Sequence, residues 1–179
     1  MKSKLHCRSP RLVVPALAGI FAFLMALVLI DHAFAESGVV PSKKAPAFTL
    51  RDVQGNVVKS SDFSGKSVIL SFVVTWDEPS QKQIEILSKL RSENSETNLV
   101  ILAAAIEQPD RQTTKAYVEQ AHPNFPFVVA DYETISGFGG LAVVPTTFVI
   151  DKDRNVIQRH EGVTEKRAFE SELKLVPKQ

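Results

Sequence analysis

Apolar residues fall into separate stretches along this chain, and their spacing differs from one stretch to the next. Between Leu12 and Ile30 no charge interrupts a continuous apolar run, whereas Phe48 and Leu50 alternate with polar neighbours before Gln54-Gly55-Asn56 and the returning Val57-Val58. The second pattern is that of a short hairpin around a turn, closed by Ser61-Asp62-Phe63. Val68 to Val74 is apolar on both faces apart from Ser71, as a central strand covered by helices on each side must be. From Ser80 to Arg91 the residues Ile84, Leu87 and Leu90 recur at helical spacing with Ile86 widening the stripe, and Lys82, Glu85 and Lys89 take the opposite face. This predicts an amphipathic helix. Leu99 to Ile106 reads as a second buried strand, Asp110 as the cap of a helix running to about Ala121, and Phe125 to Ala130 as a third strand. Asp131 caps a short helical turn through Ile135, which Gly137, Gly139 and Gly140 break. Thr146 to Ile150 and Val156 to His160 form a hairpin around Asp151 to Asn155, and Thr164 caps a last helix carrying Phe169 and Leu173. Strands and helices alternate, which places the chain among α/β folds.

The run from Leu12 to Ile30 belongs to a different function. Lys2, Lys4, Arg8 and Arg11 precede it and Ala33-Phe34-Ala35 follows, the small residues that a signal peptidase reads. It is longer than the usual h-region of about 7 to 15 residues and close to the roughly 20 that span a bilayer. Residues 1–35 are therefore a signal peptide cleaved after Ala35 or a retained anchor, and both remain open. Residues 36–45, polar and containing Pro41, read as a tether, and 46–179 as one folded domain.

Composition narrows the chemistry further. The chain has 179 residues, 44% of them hydrophobic and 23% charged, which excludes a wholly disordered or low-complexity protein. Lys and Arg number 21 against 20 for Asp and Glu, so no basic excess advertises nucleic acid. The single cysteine, Cys7, lies before the apolar run, on the wrong side of it for a lipoprotein anchor. One thiol makes no internal disulfide, no redox pair and no thiolate zinc site.

A strand followed by Trp76, then Asp77-Glu78-Pro79-Ser80, then an amphipathic helix has the order and spacing of a thioredoxin-type active site. The chain resembles the exported thioredoxin-fold proteins of the TlpA/ResA kind, within the wider AhpC/TSA and redoxin group. The resemblance runs from about Pro46 to about Leu173. It rests on Pro46-Ala47-Phe48-Thr49-Leu50, Ser61-Asp62-Phe63-Ser64-Gly65-Lys66, Thr75-Trp76-x-Glu78-Pro79 and Val144-Pro145-Thr146-Thr147-Phe148-Val149-Ile150-Asp151. It implies a three-layer α/β thioredoxin fold with a central mixed sheet and an N-terminal hairpin extension. It also implies that Asp77 and Ser80 stand where such proteins carry two cysteines, and that Gln83 stands where they often carry a glutamate that moves protons. Pro145 is implied to be cis and to face the active-site turn, so that the backbone of Val144 pairs with an extended peptide beside Trp76.

The family chemistry needs a thiolate at the helix N-terminus and a second thiol to resolve the mixed disulfide. Neither aspartate nor serine replaces sulfur in that exchange. Asp77 and Ser80 are instead good N-caps, Asp77 and Glu78 suit the positive end of the helix dipole, and Ser80-Gln81-Lys82-Gln83 fits a capping box. The sharper alternative is a new hydrolytic or metal site built from Asp77, Glu78 and Ser80. It lacks a nearby base in the sequence, since His122 lies in a loop and His160 ends a strand, and neither has a second ligand at metal spacing. Pro145 likewise either presents Val144 to a peptide or only fixes a turn beside the sheet. The expected protein is an exported, redox-inactive binding or scaffold module that uses no cofactor or metal. Its expected partner is another exported or membrane protein, and its membrane contact is confined to residues 12–30 if they are retained. The rival class is a thiol-disulfide oxidoreductase or peroxidase, disfavoured by the missing cysteines.

Overall fold

The computed structural model describes residues 43–94, 98–106 and 112–175. The apolar run, the cleavage pattern, Cys7, Asp110 and most of the tether lie outside them. Eight strands are present: β1 (Lys43–Lys44), β2 (Thr49–Asp52), β3 (Val57–Lys59), β4 (Ser67–Val73), β5 (Leu99–Ala105), β6 (Phe127–Val129), β7 (Thr146–Ile150) and β8 (Asn155–Glu161). The helices among the described residues are α1 (Glu78–Glu93), α2 (Gln112–Ala121), α3 (Tyr132–Gly137) and α4 (Lys166–Leu175), with a 3-10 turn over Ser60–Phe63. All strands join one sheet in the order β1-β8-β7-β4-β5-β6-β2-β3, parallel where β4, β5 and β6 meet and antiparallel elsewhere.

β4 is the centre of this sheet because every one of its residues is buried. Val68, Leu70 and Phe72 point into a cluster with Phe48, Phe138 and Phe148, covered by α3 and the 3-10 turn. Ile69 and Val73 point the other way, onto Ile84, Leu87 and Leu90 of α1, Phe169 of α4, and Tyr117 and Val118 of α2. Helices thus cover both faces, giving the three layers that the run of apolar residues in β4 requires. The one polar residue of that run is accommodated by pairing, since the Ser71 and Thr147 hydroxyls lie 2.8 Å apart across β4 and β7.

The N-terminal hairpin adds β2 and β3 beyond β6 and so extends the sheet. Its turn forms where the sequence places it, because the Asp52 carboxylate accepts the backbone N–H groups of Gln54 and Asn56 and Gly55 takes a left-handed φ of 96°. The Asp131 cap also forms as expected, its carboxylate accepting the N–H of Thr134 at 2.7 Å.

Several boundaries differ from the sequence reading. The tether was expected to reach residue 45, but Lys43 and Lys44 pair with Val156 and Asn155, and the Ala45 N–H reaches the Arg154 carbonyl at 2.7 Å. The folded body therefore takes up the end of that segment. Helix α1 begins at Glu78 rather than at Ser80, because Pro79 is well placed in a first turn whose N–H groups have no helical partner. Thr164 does not cap the last helix: α4 starts at Lys166, and the Thr164 hydroxyl donates instead to the Gly162 carbonyl at 3.4 Å.

Candidate functional site

The site lies where the chain leaves β4 and enters α1. Asp77 has extended backbone angles, φ −92° and ψ 128°, and is the N-cap of α1. Its Oδ2 accepts the Ser80 N–H at 3.1 Å and the Ser80 hydroxyl at 3.0 Å. The same hydroxyl accepts the Val74 N–H at 3.1 Å, so Ser80 Oγ is both donor and acceptor within a closed loop. Gln81 completes the turn by donating from Nε2 to the Thr75 carbonyl at 2.8 Å. The orphan N–H of Ser80 at the helix start is thus met by the Asp77 carboxylate, and Glu78 in the first turn adds charge at the favourable end of the dipole.

This geometry decides between the two caps and corrects one of them. Asp77 is the cap, while Ser80 lies inside the first turn and is fully buried. The Ser80 to Gln83 capping box does not form, because the Gln83 Oε1 accepts from Thr164 at 2.7 Å rather than from the helix start. A buried hydroxyl already engaged in two hydrogen bonds is not presented to a substrate, which weighs against a serine nucleophile. His160 is bonded through Nε2 to the Glu172 carboxylate at 2.9 Å and lies edge-on to Phe169. His122 is exposed, with a φ of 44° and its N–H on the Val118 carbonyl. Neither imidazole bonds to Asp77, Glu78 or Ser80, and the described residues contain no group of three or more His, Cys, Asp or Glu able to hold a metal ion.

The second half of the site comes from the start of β7. The Val144–Pro145 peptide is cis. Phe72 pairs with Thr146, the last step of the β4–β7 ladder, so Pro145 follows beside the end of β4, next to the turn that carries Trp76. The Thr146 hydroxyl donates to the Val143 carbonyl at 2.5 Å, and the Gly162 N–H donates to the Pro145 carbonyl at 2.8 Å. Val144 lies between these anchored residues, and among the described residues neither its N–H nor its C=O is hydrogen-bonded. Exposed apolar side chains come from the neighbouring segments: Trp76 is 70% exposed, Val143 45% and Val163 38%.

The site thus combines an open backbone at a cis-proline with a Trp-x-x-Pro helix start. Residues 41–159 match the profile of the AhpC/TSA family. The chain belongs to that family. A thiol-disulfide oxidoreductase ResA from Bacillus thuringiensis subsp. konkukian is 33% identical over 134 residues, which is 75% of this chain and 77% of that protein. The thioredoxin-like protein YneN from Bacillus subtilis is 26% identical over 142 residues, covering 78% of this chain and 82% of that protein. Among solved structures, a putative thiol:disulfide interchange protein DsbE from Chlorobium tepidum superposes with a TM-score of 0.69 at 24% identity, over 75% of this chain and 96% of that one. The thioredoxin fold implied by the resemblance is therefore the fold of this AhpC/TSA chain. Its only cysteine is Cys7, so the positions of Asp77 and Ser80 carry no sulfur.

Of the residues singled out in the sequence, Trp76 through Ser80 form one turn and Val144 and Pro145 stand beside it. Val143, Val163 and the hydrogen bond from Gly162 were not anticipated. Val143 had a signal in its position beside the Val-Pro step, and the Gly162–Pro145 bond continues the expected hairpin one step past the Thr146–Glu161 pair.

Proposed function

We propose that this chain is an exported, redox-silent thioredoxin-fold module that binds an extended polypeptide at the cis-proline groove. The observation that carries the reading is the combination of a closed helix start with an open backbone at Val144, in the loop that leads into β7. Asp77 and Ser80 satisfy one another and the local backbone. Val144 keeps a free N–H and C=O next to the exposed Val143, and Trp76 is exposed in the turn that follows β4. An extended chain pairing with the Val144 backbone gains main-chain hydrogen bonds, and in this reading its side chains meet the Trp76 ring. Export is supported by the basic flank, the apolar run and Ala33-Phe34-Ala35. Loss of thiol exchange is supported by the absence of sulfur at both active-site positions, since the reaction proceeds through a thiolate and a mixed disulfide. The natural occupant in this reading is another protein of the envelope.

A suitable probe is the S-carboxymethylated B chain of insulin, an unfolded polypeptide with blocked thiols. In calorimetric titration the full-length chain is expected to bind it saturably, and Trp76→Ala to bind about tenfold more weakly, as truncation of an aromatic contact usually costs more than ~1 kcal/mol. Equal affinity in the two proteins, or no binding in either, would count against the groove.

A further inference from the structure

Gln83 stands in α1 with none of its surface exposed. Its two amide atoms are treated differently: Oε1 accepts the Thr164 N–H at 2.7 Å across a sequence separation of 81, while Nε2 is buried with no partner among the described residues. A buried donor without an acceptor is a net cost that a leucine of similar size would not carry. Leucine would in turn leave the Thr164 N–H without its acceptor, so glutamine carries one unmet donor in exchange for meeting another. What the residue supplies is the acceptor for Thr164.

Thr164 is the near end of a chain of contacts. Its hydroxyl donates to the Gly162 carbonyl at 3.4 Å, and the Gly162 N–H donates to the Pro145 carbonyl at 2.8 Å. Gly162 adopts a left-handed φ of 81°, which turns the backbone out of β8 and leaves Val163 facing solvent. Helix α1 is thereby linked through Gln83, Thr164 and Gly162 to the peptide unit next to Val144.

We propose that Gln83 is a positioning residue of the groove: its amide oxygen ties the Gly162 to Thr164 loop to α1 and, through that loop, holds the Pro145 carbonyl and the open edge of Val144 in place for an incoming strand. This role rests on the groove reading given above. Gln83 touches no bound chain itself. Its effect is to keep the Val144 backbone and the helix start at a constant separation, so that a peptide meets Val144 and Trp76 together.

Two substitutions separate this role from plain packing. Gln83→Leu removes the acceptor and the orphaned donor together, whereas Gln83→Glu keeps an oxygen for Thr164. In amide hydrogen exchange on the full-length chain, Gln83→Leu is expected to accelerate exchange at Thr164 and at Gly162 about tenfold, with β4 and α1 unchanged, and Gln83→Glu to restore both. Toward S-carboxymethylated insulin B chain, Gln83→Leu is expected to lose about tenfold in affinity and Gln83→Glu to stay within about twofold of wild type. If the leucine variant does not fold, Gln83→Met gives the same comparison, since its thioether is only a weak acceptor. Unchanged exchange at Gly162 in the leucine or methionine variant would overturn the role, and so would an affinity loss in Gln83→Glu as large as in Gln83→Leu. If the variants show the exchange pattern but the wild-type chain does not bind the probe, the groove reading is removed and the tie from Gln83 to Pro145 stands.

Discussion

With dithiothreitol as the reductant, the full-length chain is expected to reduce insulin disulfides no faster than dithiothreitol alone, and the double variant Asp77→Cys/Ser80→Cys, re-reduced by dithiothreitol after each exchange, is expected to turn them over. The argument is geometric as well as chemical. The Ser80 hydroxyl already lies 3.0 Å from Asp77 Oδ2, so the two side chains converge as the partners of a disulfide must. A cysteine at 77 would be half-buried at the N-terminus of α1, the position that lowers a thiol pKa, while a cysteine at 80 would take the buried place of a resolving thiol. If the first thiol falls from about 8.5 to about 7, its thiolate fraction at pH 7 rises from a few per cent to about half. Activity of the double variant should accordingly persist toward lower pH than that of a free thiol. Cys7 is the one thiol of the natural chain and is controlled by carrying Cys7→Ser through every comparison. Turnover by the unaltered chain would sink the redox-silent reading. A double variant whose cysteines do not oxidise to an internal disulfide would show that the turn has moved away from the spacing of its relatives.

How much of this was legible beforehand depends on the range of the interactions. The both-faces pattern of Val68 to Val74 and the stripe of Ile84, Leu87 and Leu90 locate β4 and α1 because burial on two faces or one leaves a local period in the sequence. Asp131 was readable as a cap for the same reason, its partner Thr134 being nearby in the chain. The sequence leaves the cap of α1 open between Asp77 and Ser80, because Ser-x-x-Gln and Asp-x-x-Ser are both acceptable cap patterns and only the backbone angles of residue 77 choose between them. Thr164 failed as a cap for a different reason. Its hydroxyl donates back to the Gly162 carbonyl and the helix starts only at Lys166, while its N–H is taken by a glutamine far back in the sequence. The site followed the same rule. Trp76 to Ser80 and Val144-Pro145 were found by motif, whereas the Gly162 to Pro145 bond exists only once β7 and β8 have paired and returned the chain to the same end of the sheet.

The second large effect is expected in stability, at the pair that replaces the family's cysteines. Asp77→Ala removes the acceptor for the Ser80 N–H and hydroxyl, and the usual loss for a true N-cap is about 0.5 to 2 kcal/mol. Ser80→Ala should cost at least as much, roughly 1 to 3 kcal/mol, because it leaves the Val74 N–H without its partner in a part-buried position. Removing a cap exposes one helix end, whereas removing the serine opens the connection between β4 and α1 from within. Since the two residues share a bond, the double variant should lose less than the two single losses combined, by the worth of that shared hydrogen bond. Asp77→Asn keeps an acceptor oxygen and should recover most of the cap while discarding the charge that faces the helix dipole. Urea denaturation of the wild type and the four variants decides the matter through their midpoints at constant slope. Midpoints unmoved in both alanine variants would mean that the turn is held by other contacts, and Asp77 and Glu78 would then have to be explained by something they bind rather than by the helix they begin.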